Sequence, residues 1–168
     1  MKVRQEKPED IPAIHRLNAA AFGQEAEADL VDQLRAANAL TLSLVAVEEG
    51  CIVGHIAFSP ATIVSGQQAL AAIGLAPMAV SPERQRRGIG SQLVDAGLNE
   101  IRKLGHRIVV VVGHPGFYSR FGFLSARQFG IQCEFDVPDE AFMVKELSDH
   151  ALRGARGIVK YRPEFREV

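Results

Sequence analysis

The chain has 168 residues, a formal net charge of −1, and 47% hydrophobic against 23% charged residues. That balance fits one ordinary globular domain with enough length to bury roughly 70% of its unfolded surface. It excludes a global electrostatic attraction for nucleic acid or an anionic membrane, so any anion binding must be local.

The opening residues Met1–Glu6 lack the apolar core of a signal peptide, and no apolar run reaches about 18 residues. A single cytoplasmic domain over residues 1–168 is therefore expected. Residues 2–6 read as a short strand. Pro8 opens a helix at its favoured first-turn position, with Glu9 and Asp10 complementing the helix dipole. Ile11, Ile14, Leu17 and Ala21 recur at helical spacing, and a second amphipathic helix is expected over 25–37. The period then changes. Runs 42–47 and 52–58 are strand-like and separated by Glu48-Glu49-Gly50, and a turn at Ser65-Gly66-Gln67 leads to a third run, 69–80. A third helix is expected over 88–104, with Ile89, Leu93, Val94, Leu98 and Ile101 on one side and Gly105 as its stop. The apolar run 108–112 reads as a central strand, parallel to the third run because a helix intervenes. Between 129 and 168 two more strands, 130–135 and 141–147, precede an irregular tail; their edges offer a surface for a homodimer. Cys51 and Cys133 match no metal or redox spacing and are expected as reduced thiols, and no metal is expected. The other histidines, His15, His55, His106 and His150, show no constellation in the sequence. The fold class expected is α/β: an antiparallel meander plus a central parallel pair, flanked by helices.

The stretch Leu75 to Gly90 runs strand, tight loop, helix start. Amides at such a junction have no helical acceptor and carry positive potential, a natural seat for diphosphate. Gly88 and Gly90 admit a close approach of the backbone, and Arg84, Arg86 and Arg87 bring charge. The spacing disfavours a P-loop, which needs four residues between glycines and then a lysine, and a dinucleotide fingerprint, since Leu93 stands where its third glycine belongs. The plain alternative is a solvated arginine face with glycines that merely turn the chain. Pro77 inside a strand marks an edge or a bulge. A bulge would part this strand from its parallel neighbour and expose the backbone of Met78, Ala79 and Val80.

The second informative stretch is Gly113 to Phe123, at the C-terminal end of the parallel strand, where α/β sheets place ligands. Phe117, Phe121 and Phe123 read most simply as core. Tyr118 carries a hydroxyl that is protonated at neutral pH and can donate to a departing thiolate, or it packs and does nothing more.

Taken together, Met78-Ala79-Val80, Gln85-x-x-Gly88-x-Gly90 and Phe117-Tyr118-Ser119-Arg120-Phe121-Gly122-Phe123 resemble the GNAT superfamily of N-acetyltransferases. Phe129-Gly130, the run from Val137 to Met143 and the ending with Gly157, Tyr161-Arg162-Pro163 and Phe165 resemble its YhbS-like bacterial subgroup. The resemblance implies acetyl-coenzyme A as cosubstrate and a primary amine as acceptor. It implies that Gln85, Arg86, Arg87, Gly88, Ile89, Gly90 and Ser91 hold the diphosphate, with Met78, Ala79 and Val80 along the pantetheine arm. It implies too that Phe117, Tyr118 and Arg120 would complete the cofactor contacts. The Val80 amide would polarise the thioester and Tyr118 would act as general acid. Glu25, Glu27 and His114 are the candidate bases, beside a water chain; glutamates at a helix start are also ordinary caps. A non-catalytic acyl-coenzyme A sensor is the competing reading. A nucleic-acid patch at Arg84–Arg87 is disfavoured by the small basic area.

Overall fold

In the computed structural model, which describes residues 1–167, the chain is a mixed α/β structure of mostly antiparallel strands with a parallel pair, flanked by helices, as expected. It forms two compact units. The first comprises Met1–Ser59, Ala76–Glu100 and the segment from Pro163; the second comprises Pro60–Leu75 and Ile101–Arg162.

In the first unit, strand β1 (Lys2–Gln5) pairs antiparallel with β2 (Leu42–Glu48), and β2 pairs antiparallel with the early part of β3 (Cys51–Ser65). Pro8–Asp10 form a 3₁₀ turn rather than the helix start, and α1 runs Ile11–Phe22 until Gly23 caps it in the left-handed region. Helix α2 is Ala26–Ala36. Ile14, Val31 and Val45 pack in one buried cluster, and Leu30, Leu34, Ala39 and Ala57 in another. The opposite sheet face receives α3 (Ile89–Lys103). There Gly54 of β3 allows a close approach: an added Cβ would lie 2.9 Å from both Ile89 Cγ2 and Leu93 Cδ1. Gly97 of α3 does the same, its added Cβ falling 2.6 Å from Phe58 Cε2. Side chains alternate across a strand, so β3 sends residues 54, 56 and 58 toward α3 and residues 55 and 57 to the other face. That two-sided burial is why β2 and β3 read as nearly unbroken apolar runs.

In the second unit, β5 (Ile108–Val112) pairs parallel with β4 (Gln68–Val80) through Ile73–Val109 and Gly74–Val110. It pairs antiparallel with β8 (Phe142–Glu146), and β6 (Leu124–Ser125) adds to β8. Ile108 to Val111 are buried while Val112, at the strand end, is 42% exposed. The irregular tail expected at the C-terminus is corrected: β9 (Gly157–Tyr161) pairs antiparallel with residues 61–64 of β3 and parallel with β7 (Ile131–Cys133). Gly157 makes this possible, with φ 127° and a position where a Cβ would overlap the Val64 carbonyl oxygen. The final expected residue, Val168, lies outside the described residues. Among the described residues no helix is long and apolar enough to cross a membrane.

Candidate functional site

The end of β4 and the head of α3 lie within the first unit. The parallel ladder of β4 ends at Gly74, three residues before Pro77, in keeping with proline's missing donor. Beyond it Ala79 is buried, and Met78 and Val80 are half-buried. The Ser81 N–H donates to the Val53 carbonyl at 2.9 Å, which ties the strand end to β3. After a short 3₁₀ turn (Pro82–Arg84), residues 85–88 are exposed. Two of them, Arg86 (φ 66°) and Gly88 (φ 85°), lie in the left-handed region. For Arg86 this conformation costs about 1–2 kcal/mol, a strain that folds retain where the backbone has a task.

The first helical hydrogen bond of α3 runs from the Gln92 N–H to the Gly88 carbonyl, 3.1 Å. The N–H groups of Ile89, Gly90 and Ser91 therefore precede the ladder and have no acceptor inside the helix. They stand at the positive end of the dipole of a 15-residue helix. Ile89 contributes main chain only, because its side chain is 3% exposed and packs beside Gly54. Gln85 has a positioning part: its side-chain amide donates to the Val80 carbonyl at 3.2 Å, bridging the loop back to the strand end. Arg84 and Arg87 share a partner the sequence did not reveal, Glu48 at the end of β2, at 4.0 and 3.9 Å. Partly exposed pairs at that distance contribute little, so both guanidinium groups remain available to an anion.

In the second unit, His114 caps α4 (Pro115–Tyr118), its carbonyl accepting the Phe117 and Tyr118 N–H groups at 3.1 Å each. Tyr118 is buried against Phe117 (5.0 Å, edge-on) and Phe123 (5.6 Å, edge-on). Gly113 is a requirement for that seat, since a Cβ there would overlap the Tyr118 ring and approach Cδ2 to 2.9 Å. Burial pushes the phenol up to about 12. The expectation of three core phenylalanines holds only for Phe123; Phe117 and Phe121 are half-buried, and Arg120 lays its guanidinium over them at 4.8 and 5.8 Å from the ring centres.

The candidate bases are scattered. Glu25 is exposed and pairs with His15 Nε2 at 2.8 Å; Glu27 accepts from the Gln24 amide at 3.0 and 3.2 Å; the His114 side chain is exposed. A groove of about 570 Å³ in the first unit is walled by Arg4, Glu9, Arg16, Cys51 and Glu83 among others, without Glu25 or Glu27.

Three histidines do have constellations, correcting the sequence reading. His15 Nδ1 also meets Asp32 at 2.7 Å, and with two carboxylate partners its pKa is raised, Asp32 leading. His15, Asp29 and Asp32 can bring ligand atoms within 4.8 Å of one another; exposed acidic groups commonly gather so without an ion. His55 is fully buried, with Nε2 2.8 Å from Ser43 Oγ and Nδ1 3.3 Å from Asn18 Nδ2. The Asn18 amide can only donate, so Nδ1 accepts and the Nε2–H donates to Ser43, which in turn donates to Glu6. Desolvation lowers His55 to about 4. Arg35 completes the chain with a two-pronged bond to Glu6, 2.9 Å at each prong. His150 forms the third constellation, with Arg153. These partners lie up to 37 residues apart in sequence, beyond any local signal. Gly54, Gly97 and Gly113 were also missed; only Gly54 stands in a strand pattern, where an isolated glycine signals close approach.

Residues 2–126 match the family described as Acetyltransferase (GNAT) domain. The chain is 41% identical over 166 residues, 98% of both chains, to the uncharacterized N-acetyltransferase YhbS of Escherichia coli K12. It is similar to the crystal structure of Escherichia coli YhbS in complex with CoA (TM-score 0.93, 38% identity, covering 98% of this chain and 91% of that one). It is likewise similar to a GNAT family acetyltransferase from Brucella melitensis in complex with acetyl-CoA (TM-score 0.81, 37% identity, 98% and 97%). With the family matched over residues 2–126 and these likenesses along nearly its whole length, the chain belongs to the GNAT family of acetyltransferases.

Proposed function

We propose that the protein transfers an acetyl group from acetyl-coenzyme A to a primary amine in the cytoplasm, with residues 1–168 acting as one acyl-coenzyme A-binding domain. The observation that carries this reading is the row of amides at Ile89, Gly90 and Ser91 ahead of the first helical bond of α3, reached through left-handed Arg86 and Gly88. A diphosphate is the ligand such a row suits, and two relatives have been crystallised with CoA and with acetyl-CoA. Arg84, Arg86 and Arg87 supply charge to it. Met78, Ala79 and Val80 offer backbone groups to the pantetheine arm, and the Val80 amide polarises the thioester carbonyl.

The neutral amine attacks the carbonyl carbon with its lone pair; the carbon–sulfur bond breaks, the thiolate leaves with the electron pair, and a base takes the proton that the nitrogen sheds as the amide forms. Glu27 and His114 are the proposed bases, directly or through water. Tyr118 is the proposed donor to sulfur. Its raised pKa refines that role. An alkyl thiol ionises near about 8.5, so complete transfer from a phenol at about 12 is uphill by roughly 3.5 units. Tyr118 therefore acts first by a hydrogen bond to the negative charge that develops on sulfur, and it stays protonated throughout the neutral range. The same weak acidity favours a second reading, a sensor that binds acyl-coenzyme A without turnover. Binding and thiol release separate the two. Acetyl-coenzyme A at about a hundred times its dissociation constant stabilises the fold by roughly 2.7 kcal/mol, visible as a raised melting temperature, whereas NADH does not. Free thiol then appears with at least one member of an amine panel. A melt raised by NADH and not by acetyl-coenzyme A removes both readings; a raised melt with no thiol release for any amine leaves the sensor.

A further inference from the structure

We propose that the second unit carries another binding site, for a small molecule bearing two or more negative charges, in the groove rimmed by Arg107, Arg153 and Arg156. The groove measures about 1260 Å³, and none of its lining residues is Asp or Glu. Among the described residues none of these three guanidinium groups has a carboxylate within 4.0 Å, whereas Arg127 of the same unit pairs with Asp139 at 3.3 Å. Three cations without counter-charge raise the local potential in a chain whose net charge is −1.

The rim is held in place. Arg107 ends one wall: its carbonyl accepts the Leu147 N–H at 2.7 Å and its Nε donates to Ser148 Oγ at 3.0 Å. The other wall is the run 150–156, pinned by buried Ala151, Leu152 and Ala155 and by consecutive backbone turns. Glu146 of β8 accepts the Leu152 N–H at 3.1 Å, which fixes that part of the wall. Arg153 is oriented by His150: guanidinium groups only donate, so the 3.3 Å contact makes His150 Nδ1 the acceptor. Exposed Leu70 and half-buried Phe129 give the groove an apolar wall beside this charge. Guanidinium forks match phosphate and carboxylate alike, so the ligand class is a compact polyanion with a non-polar portion. The volume admits a molecule of metabolite size.

Inorganic tripolyphosphate and citrate are the probes for the two sources of such charge, titrated calorimetrically into the full chain with and without saturating coenzyme A. At least one probe binds, coenzyme A leaves its affinity unchanged, and the tighter of the two identifies the source. Arg153→Gln/Arg156→Gln weakens it about tenfold or more through two lost charge-assisted bonds, while Arg127→Gln leaves it unchanged. An unaltered melting temperature of the double variant without probe shows that it still folds. The proposal is overturned if neither probe binds, if the double variant binds as well as the parent, or if coenzyme A displaces the probe.

Discussion

The loop before α3 is made of main chain, and the turn after β5 is made of side chains. At the first, residues 85–88 are exposed, two of them left-handed, and the groups on offer are amides. At the second, one phenol is packed between two rings and above a glycine, with its acidity reduced by burial. The two respond to substitution in opposite ways. The loop depends on φ and tolerates changes of side chain; the turn tolerates little change in the volume around Tyr118. Under the proposed function, binding falls to the first and turnover to the second.

The largest expected effect falls on the second region. Tyr118→Phe lowers turnover about 10²–10⁴-fold with coenzyme affinity unchanged, measured by thiol release and calorimetry; unaltered turnover removes Tyr118 from the chemistry. Next comes a pH effect that belongs to the core of the first unit. His55 is fully buried with a pKa near 4 against 6.5 when unfolded, so the unfolded chain binds more protons between those values. Its contribution, on the order of 3 kcal/mol, is present above pH 6.5 and is lost as pH falls toward 4. Denaturant melts of His55→Gln flatten that slope; an unchanged slope assigns it to other groups. Tyr118, protonated throughout, adds nothing in that window.

Smaller effects probe the backbone. Gly88→Val forces a β-branched residue to φ 85° and weakens coenzyme binding about 10–100-fold with kcat retained at saturation. Gly113→Ala displaces the Tyr118 ring and lowers kcat about tenfold with affinity retained, the mirror image of the Gly88 result. Arg86→Gly relieves a left-handed residue while deleting a charge, and coenzyme affinity stays within about threefold. A hundredfold loss there makes the loop a side-chain site after all.

How much of this was legible follows from the same distinction. Elements with long periodic patterns, α1 to α3 and β2 to β5, stand within a few residues of their expected positions, because burial of one face writes itself into spacing. The exception is β3, which continues to Ser65, well past Phe58. Strand β9 escaped because it opens on a glycine at φ 127°, a conformation that no local residue pattern announces. The glycines at 88 and 90 signalled backbone exposure, yet the hydrogen bond from Gln85 to Val80 and the Glu48 partner of two arginines needed coordinates. The Asn18–His55–Ser43–Glu6 chain unites four elements of sequence that share no local pattern.

Amide chemical shifts during a coenzyme A titration of the isotope-labelled protein test the central claim most directly. The amides of Ile89, Gly90 and Ser91 are expected to show the largest downfield movement, with Arg86 and Gly88 close behind. Saturable binding that leaves these five resonances in place contradicts the account.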